Sequence, residues 1–219
     1  MAVEELWRGH RADDLRDEAD NIRKYLRLVG RFLAEERERF EKEHEGEVGD
    51  DVSDERWRMR GILPTTLINT TLISIYSYGE IKIRSSCLFD ASLRGIARGA
   101  DAEQKLEREL RNIEGVKAYW KGLDLAHANT PEWTEIMNMK DIRNHLIHIG
   151  EFAEDTERWK RIEEYEKHRY REGLTGLGIV WNQLSIGSEY CEEVIGLFHR
   201  FLTMQLEAMP SYVHLEKPK

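Results

Sequence analysis

The sequence predicts an all-α fold, and three observations carry that expectation. Apolar residues recur at helical spacing over most of the chain, proline is scarce (4 in 219 residues), and the sharpest local signals are helix starts and stops. A hydrophobic content of 40% with 34% charged residues suits one domain, or one domain with an elaboration, around a sizeable core.

The elements follow in order. Leu6 to about Glu47 reads as one long helix, with Leu15, Ile22, Leu26, Val29 and Leu33 at helical spacing among dense charges. Between Glu35 and Glu55 acids far outnumber bases and Gly46 and Gly49 intervene, the pattern of a solvated helix end and loop. Residues 1–60 therefore read as a helical arm, structural or dimer-stabilising. Pro64 then opens a second helix, apolar almost all round through Leu67, Leu72, Ile75, Tyr76, Ile83 and Leu88, as a central bundle element would be.

Gly95, Gly99 and Gly115 punctuate an amphipathic stretch that runs to Ala128. Thr130-Pro131-Glu132 is a strong helix start: a hydroxyl to cap, a proline at the first position and an acid in the first turn. That helix runs through Trp133, Ile136 and Met137 to a stop at Gly150. Glu154 to Arg171 is a charged helix with Trp159, Ile162 and Tyr165 on one side. Gly173, Gly176 and Gly178 form a flexible connection, which lacks the Lys-Ser/Thr of a phosphate-binding loop. An apolar stretch from Ile179 to Ile186 precedes a last helix, capped by Ser188, through Tyr190, Val194, Phe198 and Leu202. The assembled expectation is an up-and-down helical bundle over residues 61–209, with residues 210–219 as an unpacked tail.

Composition narrows the function classes. The net charge of −9 is unhelpful to a nucleic-acid binder overall, although a local basic cleft is what attracts phosphate. Two cysteines, Cys87 and Cys191, make neither a disulfide framework nor a metal-ligand pattern. Met-Ala-Val-Glu-Glu has no basic, apolar export signal, and the most apolar run, Leu67 to Ile83, is broken by Asn69, Thr70, Thr71 and Glu80. These features predict a cytoplasmic protein without a membrane span.

The residues best suited to chemistry lie in Asp141-Ile142-Arg143-Asn144-His145-Leu146-Ile147-His148-Ile149-Gly150. Arg143, Asn144 and His148 combine a fixed cation, an amide and a titratable imidazole. At ~100° per residue, Ile142, Leu146, Ile149 and Ala153 share a face, while Asn144 and His148 fall on the far side, stacked so that the amide can orient the imidazole. His148 is thus expected to point away from the core; an exposed helix face is the plainer alternative. His145 reads as a flanking substrate contact or plain surface. With His148 it lacks a third ligand, so no metal or other cofactor is expected. Glu80, on an apolar helix, demands a partner, Arg84 or Arg143.

Arg143-Asn144-His145-Leu146-Ile147-His148 resembles the Arg-Asn-x3-His motif of HEPN domains, helical domains of toxin, antiviral and RNA-processing ribonucleases. Tyr76 followed one turn later by Glu80 fits a second feature of that family, and the resemblance spans roughly Pro64 to Leu206. It implies a homodimer with a composite site and metal-independent cleavage of RNA, with Arg143, Asn144 and His148 catalytic and Tyr76, Glu80 and His145 in support. It also implies a possible antitoxin or defence-system partner. HEPN toxins silenced by adenylylation usually carry Tyr two places after the motif His; Gly150 stands there, so that regulation is not implied. A non-catalytic HEPN-like module that dimerises or binds RNA or nucleotide is the alternative.

Overall fold

The computed structural model describes residues 2–47, 49–96 and 99–210, with 2–10 by backbone alone. The tail expected from Pro210 onward falls at 211–219, outside the described residues. The fold is an all-α helical bundle, as the sequence predicts, with one small hairpin. Helix α1 spans Ala2–Glu43, α2 Asp50–Trp57, α3 Leu63–Leu93, α4 Ala100–Glu109, α5 Ile113–Gly122, α6 Pro131–His148, α7 Glu157–Arg171 and α8 Ser188–Ala208. Strands β1, Leu177–Val180, and β2, Gln183–Ile186, pair antiparallel between α7 and α8. No helix among the described residues is long and apolar enough to cross a membrane.

Helix α3 begins at Leu63, one residue ahead of the expected start at Pro64, and it continues directly from the segment before it. A five-residue π-helical segment, Arg58–Ile62, joins α2 to α3, and in it the Leu63 N–H reaches the Arg58 carbonyl. Proline lacks an N–H and its ring clashes with the carbonyl four residues back in regular α geometry. The widened turn immediately before Pro64 lets the helix pass through it instead of stopping.

The described chain falls into two compact units. Among the described residues one comprises 2–19, 77–96, 99–137 and 196–210; the other 20–47, 49–76 and 138–195. The division cuts α1, α3, α6 and α8, and the boundary expected at residue 60 lies within the π-helical segment of the second unit.

In the first unit the core gathers Ile83, Leu110, Val116, Trp120, Trp133, Ile136 and Phe201, all buried. Trp120 meets Trp133 edge-on at 4.8 Å and Phe201 at 5.6 Å between ring centroids. Such pairs add ~0.5–1.5 kcal/mol each beyond their buried area. Asn112 caps α5 by accepting from the Gly115 N–H at 2.9 Å. A Cβ on Gly115 would lie 1.7 Å from the Glu109 carbonyl oxygen, so only glycine fits that turn.

In the second unit Leu72, Ile75, Tyr76, Met139, Ile142, Leu146, Trp159, Ile162 and Tyr190 are buried. The loop predicted around Gly173–Gly178 is in part β1. Leu177, Leu184 and Ile186 turn inward, while Val180 and Gln183 face the opposite side. Arg169, 2% exposed, ties α7 to α8: its two terminal nitrogens each donate to Glu193 at 2.7 Å, and its guanidinium lies 4.7 Å from the Tyr190 ring centroid. The paired carboxylate supplies the compensation a buried guanidinium needs.

Candidate functional site

Helix α6 starts as its sequence dictates, the Thr130 hydroxyl accepting from the Trp133 N–H at 3.2 Å. It also stops as dictated. The N–H groups of Ile149 and Gly150 both donate to the His145 carbonyl, and Gly150 takes φ +90°, where a side chain would be strained. Ala153, counted on the apolar face from periodicity, lies beyond this stop and is exposed.

The last turns of α6 carry Arg143, Asn144 and His148. Arg143 is half-buried, with its guanidinium 5.8 Å from the Tyr76 ring centroid. Its Nη1 donates to the Asn144 Oδ1 at 2.8 Å, and its Nε is buried with no hydrogen-bond partner. Tyr76, itself 2% exposed, thus presents a fixed aromatic face to the cation. Two side chains hold the guanidinium, Tyr76 by its ring and Asn144 by its amide oxygen.

His148 is exposed, as predicted. The Asn144 amide differs from expectation, because its oxygen engages Arg143 rather than the imidazole. No hydrogen bond to the His148 ring occurs among the described residues of this unit. Glu80 is half-buried and belongs to the other compact unit, where it forms no ion pair with Arg84. Tyr76, and not Glu80, is the supporting residue that meets Arg143 within the second unit.

His145 requires a correction: it is 0% exposed, neither surface nor positioned to touch a substrate. Its Nε2 lies 2.8 Å from the Phe152 carbonyl oxygen, and its ring packs 4.8 Å from Trp159. A carbonyl only accepts, so the proton sits on Nε2, which leaves Nδ1 buried without a partner. Burial holds this imidazole below the usual histidine pKa. At −60° from Ile142 on the helical wheel, His145 borders the apolar stripe, and that angle was the available signal.

The chain leaving α6 is pinned to the hairpin. Leu184 N–H donates to the Glu151 carbonyl and Ala153 N–H to the Asn182 carbonyl, both at 2.7 Å. The Glu151 carboxylate accepts from the Gln183 amide at 2.7 Å and the Asn69 amide at 3.1 Å. Across the sheet Phe152 opposes Gln183, which opposes Val180. Phe152 and Trp181 are large, exposed aromatic residues that sequence reasoning passed over.

A second cluster of reactive residue types lies in the first unit. Asp90, 5% exposed, accepts from Arg94 Nε at 3.0 and 2.8 Å and from the Tyr119 hydroxyl at 2.8 Å. Cys87, Asp90 and His127 line a cavity of about 10 Å³. Burial, reinforced by the Asp90 charge, pushes the Cys87 thiol up to about 12. Burial holds His127 below its usual value. The thiol is therefore un-ionised at neutral pH and the imidazole uncharged.

Among the described residues no group of three His, Cys, Asp or Glu could hold a metal ion. Compared with family models, with curated proteins and with solved structures, the chain matches none.

Proposed function

We propose that this chain is a metal-independent endoribonuclease of HEPN type, working in toxin or antiviral defence. The observation that carries the reading is the end of α6: an exposed imidazole, His148, stands one turn beyond an Asn144 that holds the half-buried Arg143 guanidinium. A single chain thereby offers one proton carrier and one fixed cation.

The chemistry follows from those groups. His148 takes the proton from a ribose 2'-OH, whose oxygen attacks the adjacent phosphorus, or gives a proton to the departing 5'-oxygen. Arg143 meets the charge that grows on the phosphorane oxygens, where a preplaced donor is worth most. Asn144 keeps the guanidinium aimed. The products are a 2',3'-cyclic phosphate and a 5'-hydroxyl, and DNA, lacking the 2'-OH, is not cut. One imidazole per chain calls for a symmetric dimer, in which two copies supply base and acid.

One feature favours a second reading, a non-catalytic helical module that binds RNA or dimerises: nothing within the unit orients His148. Purified wild-type and His148→Ala chains, incubated with single-stranded RNA in excess EDTA, separate the two. Cyclic-phosphate ends from the wild type alone support the nuclease. RNA left intact by both, or cleavage by both, refutes the assignment, and dependence on an added divalent ion points to a different enzyme class.

A further inference from the structure

The β1–β2 hairpin carries a costly feature. Its two-residue turn, Trp181-Asn182, has φ +53° and +59°, the left-handed pair that a type I′ turn requires. Asn182 suits such a position and Trp181 does not, since a side chain of that bulk crowds the backbone there. Trp181 is nevertheless 95% exposed, so its ring gains nothing from the core. Strain without burial gain marks a residue kept for contact with something else.

Beside it lies Phe152, 61% exposed, on the same outward face as Gln183 and Val180. The pair is anchored to the motif helix by bonds already described: Ala153 N–H to the Asn182 carbonyl, Leu184 N–H to the Glu151 carbonyl, and the His145 ring to the Phe152 carbonyl. Ala153 lies five positions after His148, a backbone reach of at most ~18 Å. The Glu151 carboxylate is held by the Asn69 and Gln183 amides, which fixes its place beside the strand.

We propose that Trp181 and Phe152 form a stacking platform for unpaired bases of the RNA strand, holding it while its phosphate lies at Arg143 and His148. The inference rests on the ribonuclease reading and adds the substrate class: single-stranded or looped RNA, because a paired base has no free face to offer. A flat aromatic ring at a rigid turn tip binds any base without reading its sequence. Helix α6, to which the Phe152 backbone is tied through His145, also carries Arg143 and the exposed His148, and those groups suit a phosphate-bearing partner rather than an apolar protein surface.

The test uses the full-length His148→Ala chain, so that binding is read without cleavage, and a fluorescein-labelled single-stranded oligoribonucleotide of mixed sequence. Trp181→Asn removes the ring while suiting the turn, which keeps the fold intact. Fluorescence anisotropy should show it binding roughly 5- to 150-fold more weakly. Trp181→Phe should retain most of the affinity, and Trp181→Leu should lose it as Asn does. Unchanged affinity in Trp181→Asn, or full affinity in Trp181→Leu, overturns the platform. So does a change in molar mass by light scattering in Trp181→Asn, which would make this face an interface between copies. Loss of binding in a chain whose wild type does not cleave RNA removes the nuclease reading and leaves the platform standing; cleavage with unaltered binding does the reverse.

Discussion

Two polar clusters sit in the two compact units, and the richer one is chemically silent. Around Asp90 the first unit assembles a thiol, a carboxylate, a phenol and an imidazole, a fuller set of reactive groups than Arg143, Asn144 and His148 provide. Yet Asp90 is saturated by Arg94 and Tyr119, Cys87 is too buried to ionise near neutral pH, and the space they share is about 10 Å³, room for one water at most. The second cluster has fewer groups but an exposed imidazole and a half-buried guanidinium aimed by a neutral amide. Residue type proposes a site; access decides it.

The comparison breaks first at His148. His148→Ala and Arg143→Ala should each lower RNA cleavage by about 10²-fold or more, with the far-ultraviolet circular dichroism spectrum unchanged. Wild-type rates from either variant would leave the second cluster as inert as the first. The converse substitution is Asp90→Ala, which strands Tyr119 and Arg94 and should cost about 3 kcal/mol of unfolding free energy in urea. Turnover per folded molecule should not change, and a fall in it would make the first cluster active.

Acid sharpens the contrast between buried and exposed imidazoles. His127 and His145 both have folded-state pKa values below the ordinary 6.5, burial being the main cause. The unfolded chain therefore takes up protons first as pH falls. Their contribution is complete above about pH 6.5 and is lost progressively below it, at up to ~1.4 kcal/mol per pH unit for each group. Urea midpoints at pH 7.5 and 5.5 should differ in that direction, and less so in a His127→Phe chain. Identical midpoints would mean that neither ring is held neutral. The smallest expected effect is a gain: Trp181→Asn relieves the left-handed backbone and should stabilise the chain by about 1 kcal/mol, read as a higher thermal midpoint. A loss of stability instead would show that the ring serves the fold.

Much of this was legible beforehand, because helix formation writes itself into spacing and caps. Thr130-Pro131 placed the start of α6 and Gly150 its end, and the same periodicity put His148 outside. The hairpin was not legible. Its strands are four residues long, and its turn lacks the Asn-Gly or Asp-Gly signal, so Ile179 to Ile186 showed only an apolar stretch. The π turn ahead of Pro64 was illegible for a related reason: it is a matter of backbone register, which side-chain identity does not record. The aim of Asn144 toward Arg143 rather than His148 is a choice between two neighbours within reach, one that helical angles alone do not rank.

The burial of His145 alters what a spacing pattern means. An Arg-Asn-x3-His formula treats three positions as interchangeable, yet the first of them supplies the carbonyl that closes α6, the ring that fixes the Phe152 backbone and the face on which Trp159 packs. On the ribonuclease reading proposed above, two selective pressures would therefore run through six consecutive residues: one from the proposed reaction on Arg143, Asn144 and His148, the other from the route of the chain on His145. In an alignment of relatives, residue 145 should change in concert with residue 159 and with the length of the 149–156 connection, and independently of residues 143, 144 and 148. Relatives that keep Arg143, Asn144 and His148 but exchange His145 should carry a differently built exit from the helix, and so a different surface beside the same three side chains.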